Sequence, residues 1–550
     1  MENHEIELLT FDFSESIFMK IKIIATFTAL LFGLAGYSCT NILVTKGASA
    51  DSSTFLVYTN DGEWLYHLDV SPAKDFREGD SIVYFSMSGK RFAIPQVQHT
   101  YALIGFQMNE FQLSIGETTF LGREELWDKN QPLKYWELMR LGLERARTAR
   151  EAIEVMTTLA EKYGYGSEGE TFSIADPNEA WLLEMIGTGG KGGAIWIARR
   201  VPDGYMTAHA NHARIGEILK NDPENCLYSE NIFSFAVENE FYNPSSGKPF
   251  RFNDAYDPPS ADHLKYSESR VWSVFRRAAP SGNFSSDYHR GVAGAEPYPL
   301  FIKPDKKLNL ENIFALVRDH YEGTPFDMTS GPAAGGFGNP NRPRPLYWEI
   351  DSIQYSWERP ISTYNTAFSF VAQMRNYLPD EVGGVVWFGV DDTYTTCYFP
   401  IYCQSVSIPV SFQTGDINQY SSESAWWVFN FVANLANVRY NDMVADIQKV
   451  QQKTELQFIQ QQYAVESAAL LLDKPGRILF LSNYTVMAGD KVHQEWKQLG
   501  NYLLTKYNDG YIKNPQGKIQ EISYPDNWLE TIIELEPNKY QVGGKRKSNY

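Results

Sequence analysis

Cys39 stands directly behind a stretch ordered like an export signal, and one cut after Ser38 would leave it as a first residue with both a thiol and a free α-amine. A free thiol has a pKa of about 8.5 and an α-amine of about 7.7–8.0, so near neutrality part of the amine is unprotonated. That nitrogen can take the thiol proton as sulfur attacks a carbonyl, then return it to the departing nitrogen. One residue supplies nucleophile and base, and the chemistry requires no histidine, metal or cofactor. Fixed donors for the tetrahedral oxyanion are still required; loss of one costs on the order of 10²–10³ in turnover.

The signal begins at Met19. Met19-Lys20-Ile21-Lys22 is basic, Ile23 to Gly36 is apolar, and Gly36 and Ser38 place small residues at −3 and −1. The apolar run is shorter than the roughly 20 residues a spanning helix needs, so residues 1–38 read as a segment that signal peptidase removes, and the mature chain as periplasmic or secreted. The acidic residues before Met19 play no part in this order, which makes Met19 the expected start. Two other fates for Cys39 stay open: the acylated cysteine of a lipoprotein, although Gly36 and Tyr37 fit that box poorly, and a plain buried thiol.

The elements that would position the sulfur follow at once. Thr40-Asn41-Ile42-Leu43-Val44 and Phe55-Leu56-Val57-Tyr58-Thr59-Asn60-Asp61 are β-rich runs flanking a turn of Gly, Ala, Ser and Asp. An antiparallel pair brings the start of one strand to the end of the next, so Asp61 is expected beside Cys39. Further strands are expected at about 101–107, 111–116, 171–175, 181–186 and 195–200. Thr148-Ala149-Arg150-Glu151 predicts a capping box for a helix through Tyr163, and a long helix is predicted from Asn441 to Leu472.

The Cys39–Asp61 segment resembles the N-terminus of the peptidase C69 dipeptidases, N-terminal nucleophile hydrolases related to the choloylglycine hydrolase and penicillin V acylase group. MNEFQLSIGETTF, GLERARTAREAIEVMTTLAEKYGY, SIADPNEAWLLEMIG, WIARRVPDGYMTAHANHARIG, DHYEGTPFDMT, STYNTAFSFVAQMR and SAWWVFNFVANLANVRY follow in the family's order. The resemblance implies an α+β fold of four layers, with two mainly antiparallel sheets packed between helices. Residues 39–423 then read as the catalytic domain, with a Pro-, Gly- and Asn-rich insertion of loops at about 225–345, and from Ser424 the pattern turns helical, so 424–550 read as a mostly helical extension packed on the core. The resemblance also implies Cys39 as nucleophile, Asp61 as the carboxylate that orients it and Asn211 as an oxyanion donor. Arg214 is a candidate for a substrate carboxylate, with a structural ion pair as its other reading. Glu117 is a candidate for a substrate ammonium. Where the bile-salt and penicillin hydrolases carry an arginine three positions before the aspartate, this chain has Tyr58, which offers only a hydrogen bond; Arg214 or Arg375 is expected to supply the missing cation.

The implied activity is hydrolysis of dipeptides. The alternatives are an acylase for N-acyl amides, with Trp64, Phe106 and Tyr364 as acyl-pocket candidates, and a lipid-anchored binding protein. His209 and His212 lack a ligand series for zinc, and Asp391-Asp392 and Asp319-His320-Tyr321-Glu322 read as structural carboxylates. Cys397 and Cys403 are spaced for a small disulfide loop, with Cys226 left over. The 550 residues include 13 tryptophans and are 43% hydrophobic, enough for a large core. A net charge of −18 argues against nucleic acid as a partner. Small peptides are the expected substrates, no integral membrane span is expected, and the sequence leaves the oligomeric state open.

Overall fold

The computed structural model describes residues 39–520 and 522–543; the predicted signal segment lies outside them. The chain opens on β1 (Thr40–Val44), turns through a short 3₁₀ segment and returns as β2 (Thr54–Asp61), paired antiparallel in register from Thr40 opposite Thr59 to Val44 opposite Phe55. Every residue of both strands is buried, as expected of strands covered on both faces.

The next long strands are β3 (Ser114–Phe120), β4 (Gly169–Ala175), β5 (Ala180–Ile186), β6 (Ile195–Arg200), β7 (Met206–His209), β8 (Thr366–Met374), β9 (Val385–Val390) and β10 (Phe399–Tyr402). They form two antiparallel sheets. One is six-stranded, in the order β7-β1-β2-β8-β9-β10. The other has eight strands, running from the short strand Cys226–Tyr228 through β6, β5, β4 and β3 to three two-residue strands. The sheets meet face to face where Gly116 of β3 has no side chain: a Cβ there would lie 2.8 Å from Asn41 Nδ2 and 3.1 Å from Leu56.

Helices cover both outer faces. On the eight-stranded sheet, α1 (Tyr135–Arg145) and α2 (Ala149–Tyr163) pack Leu138, Ile153 and Met156 against Ile115, Phe172 and Leu183. Thr148 caps α2 by accepting from the Glu151 N–H, while Glu151 reaches back to the N–H of Arg147 instead of Thr148. Residues 225–345 are more helical than their Pro, Gly and Asn content suggests, and include α3 (Ala261–Ala278). The C-terminal part supplies α4 (Ala425–Ala436), α5 (Tyr440–Leu470) and α6 (Lys474–Lys506). Phe429 of α4 stacks on Trp496 of α6 at 4.8 Å, an arrangement worth about 0.5–1.5 kcal/mol beyond burial. Buried pairs Arg318–Glu455 and Arg375–Glu466 tie α5 to the core. The architecture is α+β, with helix, sheet, sheet and helix in succession.

Two expectations are corrected. The strand expected at 101–107 is broken into Leu103–Ile104 and Met108–Asn109 by a turn in which Gly105 takes φ +49°. Cys397 and Cys403 are both free and buried, because β10 runs extended between them and carries their sulfurs past disulfide reach. Among the described residues, no helix is long and apolar enough to cross a membrane.

Candidate active site

Because Thr40 pairs with Thr59, Cys39 lies beside the last two residues of β2. Asn60 approaches the sulfur with its Nδ2 at 3.9 Å, Asp61 through its backbone N–H, and Tyr58 with its hydroxyl at 3.8 Å. From the facing sheet, Glu117 of β3 brings Oε1 to 3.6 Å. The Tyr58 hydroxyl donates to that Glu117 oxygen and accepts from Asn60 Nδ2 at 2.6 Å, and Trp64 Nε1 holds Asn60 Oδ1 at 3.0 Å. The sulfur thus faces a hydrogen-bonded row of three side chains.

Burial, reinforced by the nearby Glu117 and Asp61, pushes the Cys39 thiol well above its ordinary value. Burial likewise raises Glu117, which shares a hydrogen bond with the Glu170 carboxyl; Glu170 is raised well above the carboxylate range by burial and by Glu117 itself. Two carboxyls in one dry site cannot both ionise cheaply, and Glu170 bears that repulsion.

Asp61 is anchored from the other side. Arg359 forms an ion pair with its Oδ2, and Thr366, the first residue of β8, donates to Oδ1 at 2.6 Å. Burial raises the Asp61 carboxyl against the pull of Arg359 and Thr366.

Asn211 sits just past β7 with φ +60°, the left-handed conformation that asparagine tolerates better than most residues. Its Nδ2 donates to the Thr119 carbonyl at 2.6 Å, and its Oδ1 accepts from Arg270 at 2.8 Å. The same guanidinium, from the middle of α3, reaches the Cys39 carbonyl at 2.7 Å, Thr40 Oγ1 at 3.0 Å and the Ala210 carbonyl at 3.3 Å. Burial, with Arg359 nearby, brings Arg270 down to about 10, still cationic at neutral pH. Arg270 therefore joins β1 to the Asn211 turn and fixes which end of the asparagine amide faces which way.

The structure brings Cys39, Tyr58, Asp61, Glu117 and Asn211 into one neighbourhood. It does not bring Arg375 there: β8 runs antiparallel to β2 from Thr366 at Asp61 to Met374 at Thr54, so Arg375 lies at the far end of the sheet and pairs with Glu466. Arg214 is buried close to the Asn211 turn, with its guanidinium committed to Glu268 and to the carbonyls of Ala208, Tyr298 and Pro299. The arginines that do reach this neighbourhood are Arg270, on the Cys39 carbonyl, and Arg359, on Asp61, neither of which any local pattern singles out. His209 is held between the sheets by the hydroxyls of Thr118 and Ser173, both at 2.7 Å. Phe106 packs half-buried on the core and Tyr364 bonds the Arg342 carbonyl; neither reaches the sulfur through a hydrogen bond or ring contact. A cavity of about 270 Å³ is lined by Ser269, Lys265, His289, Tyr321 and Glu358, and a smaller one is lined in part by Arg359. Cys39 itself is fully buried.

Comparison with known proteins identifies the family. The sequence model of peptidase family C69 matches residues 38–453. A protein named probable dipeptidase from Salmonella dublin is 26% identical over 396 residues, covering 68% of this chain and 83% of its own. Probable dipeptidase B of Streptococcus pyogenes serotype M1 is 24% identical over 437 residues, covering 76% and 82%. A probable dipeptidase from Latilactobacillus sakei is 24% identical over 430 residues, covering 73% and 82%.

Proposed function

The chain belongs to peptidase family C69, whose members hydrolyse peptide bonds, and on that premise we propose that it is an exported dipeptidase whose nucleophile is Cys39. The observation that carries this reading is the convergence of Asp61 and Arg270 on one cysteine from separate stretches of chain, with Asn211 held by the same Arg270 guanidinium. The buried thiol is held protonated, so it needs a base within reach. In the 550-residue chain the Cys39 nitrogen is a peptide nitrogen; removal of residues 1–38 turns it into an amine that can serve.

In the proposed cycle, the amine takes the thiol proton as sulfur bonds to the scissile carbonyl carbon. The Asn211 amide and a backbone N–H hold the oxyanion. The amine returns the proton to the leaving nitrogen, the C–N bond breaks and a thioester remains. Water then attacks the thioester, losing its proton to the amine, and the thiol is regenerated as the acid departs. Asp61, locked by Arg359 and Thr366, keeps the cysteine and its amine in place.

The test uses mature protein and a panel of dipeptides. Intact mass should show a chain beginning at an unmodified Cys39, and Cys39→Ala should lower turnover by at least about 10³-fold while the melting temperature is kept. Full activity in Cys39→Ala would refute the reading, a diacylglyceryl mass on Cys39 would replace it with an anchored binding protein, and turnover of N-acyl amides alone would replace it with an acylase.

A further inference from the structure

We propose that His212, Asp257 and His263, beneath the Asn211 turn, form a binding site for a divalent cation of the zinc type. Among the described residues these three side chains bring one ligand atom each within 4.8 Å of one another. They come from the turn after β7, from the segment before α3 and from the first turn of α3, so a bound ion would clamp three elements.

The hydrogen bonds around the trio decide which atoms face inward. His212 Nδ1 lies 3.1 Å from Glu268 Oε1, and that carboxylate is in turn held by Arg214 at 3.1 Å. The Nδ1 proton therefore points at Glu268 and the Nε2 lone pair points away. His212 is about 1% exposed, and its Nε2 has no hydrogen-bond partner; a buried nitrogen left in this way carries a real cost unless something binds it. Its nearest acidic atom is Asp257 Oδ2 at 4.0 Å. His263 Nε2 lies 2.6 Å from the Asn211 carbonyl, which can only accept, so Nε2 holds the proton and Nδ1 is the lone pair. That atom is 4.0 Å from Asp257 Oδ1. Asp257 is steadied by the N–H groups of Gly122 at 3.1 Å and Ala213 at 2.8 Å.

Both imidazoles are thus set in the tautomer a metal requires, each by a partner on its remote nitrogen, as is usual for histidine ligands. Zinc takes nitrogen at about 2.0–2.1 Å and carboxylate oxygen at about 2.0–2.2 Å. Tetrahedral ligand atoms then sit about 3.4 Å apart, so the trio would draw in by roughly an ångström. His263 retains partial exposure, with its side chain 12% accessible, which gives an ion a way in and leaves a fourth position to water. The competing occupant is a proton: Glu268 and Asp257 overcome the effect of burial and raise His212, and the same negative field attracts a dication.

The ion would not take part in the reaction. It would fix the Asn211 carbonyl through His263, and only this coupling rests on the oxyanion reading of Asn211. Full-length mature protein, freed of any tag, is stripped with chelator, titrated with Zn²⁺ and washed; metal content, melting temperature and the visible spectrum after Co²⁺ loading are then read. The expected results are one zinc per chain, a higher melting temperature with zinc than with chelator, and a tetrahedral cobalt spectrum. His263→Gln changes the most accessible ligand, so it should leave the fold intact and weaken zinc at least tenfold. Less than a tenth of an equivalent of zinc in the wild type, or unchanged affinity in folded His263→Gln, overturns the site and leaves His212 with a proton. Metal bound without dipeptidase activity would sink the proposed function and spare this one, and the reverse result would do the opposite.

Discussion

Lysine in place of Arg270 keeps the charge and loses the fork. The guanidinium spans the Cys39 carbonyl and Asn211 Oδ1 at once, and an ammonium on a single stem cannot. Arg270→Lys is expected to fold and to lower kcat about 10-fold to 100-fold with a smaller change in KM, since misplacement of about an ångström costs that much. Steady-state kinetics on one dipeptide checks it, and an unchanged kcat would remove Arg270 from the site. Cys39 and Asp61 are legible in the sequence because a single hairpin, with its turn chemistry on display, joins them. Asn211 is legible only through motif order. Arg270 and Arg359 are not legible at all: each meets its partner across more than 200 residues of intervening chain, and nothing in their neighbours distinguishes a buried arginine from a surface one.

At the scale of elements, α3 shows why. Its central Ser267, Glu268, Ser269 and Arg270 are all buried, yet they read as a solvated face, so the apolar period that would announce a helix is interrupted where the helix matters most. In α2 none of the charged residues is buried and the period survives. The strand expected at 101–107 fails for a different reason, a glycine turn that composition cannot separate from a strand interior. Close sheet packing yields its own prediction. Gly116→Ala would press a methyl against Asn41, Leu56 and the Tyr58 Cβ, at 2.8, 3.1 and 3.2 Å, and should destabilise the protein by about 1–3 kcal/mol while displacing Tyr58 from the sulfur. Urea unfolding measures the first effect; a variant as stable as wild type would mean that the sheets yield.

The whole molecule stores part of its stability in buried titratable groups with opposite pH slopes. Burial pushes Asp391 up to about 8 and pulls His209 down to about 3. The unfolded chain releases the Asp391 proton near its model value of 3.8 while the folded chain keeps it to about 8, so this contribution is full in acid and fades as pH rises through that window. The His209 contribution is full above the model value of 6.5 and is lost as pH falls toward 3. Between about pH 6.5 and 8 only the Asp391 slope remains of the two. Asp391 has φ +64° and accepts from Asn430 at 2.9 Å, so asparagine fits its backbone. Asp391→Asn should gain on wild type steadily from acid to pH 8 when urea midpoints are compared. A gap that does not vary with pH would show that the carboxyl ionises normally.

All four cysteines are free and enclosed, and the one proposed for chemistry is also kept neutral by its surroundings. Small alkylating or oxidising reagents need an accessible thiolate, so agents that silence ordinary thiol enzymes would find little to attack in the uncleaved chain, where the Cys39 nitrogen is still part of a peptide bond. Sensitivity to such reagents would then arise together with substrate access in the mature protein, which makes it a chemical readout of maturation.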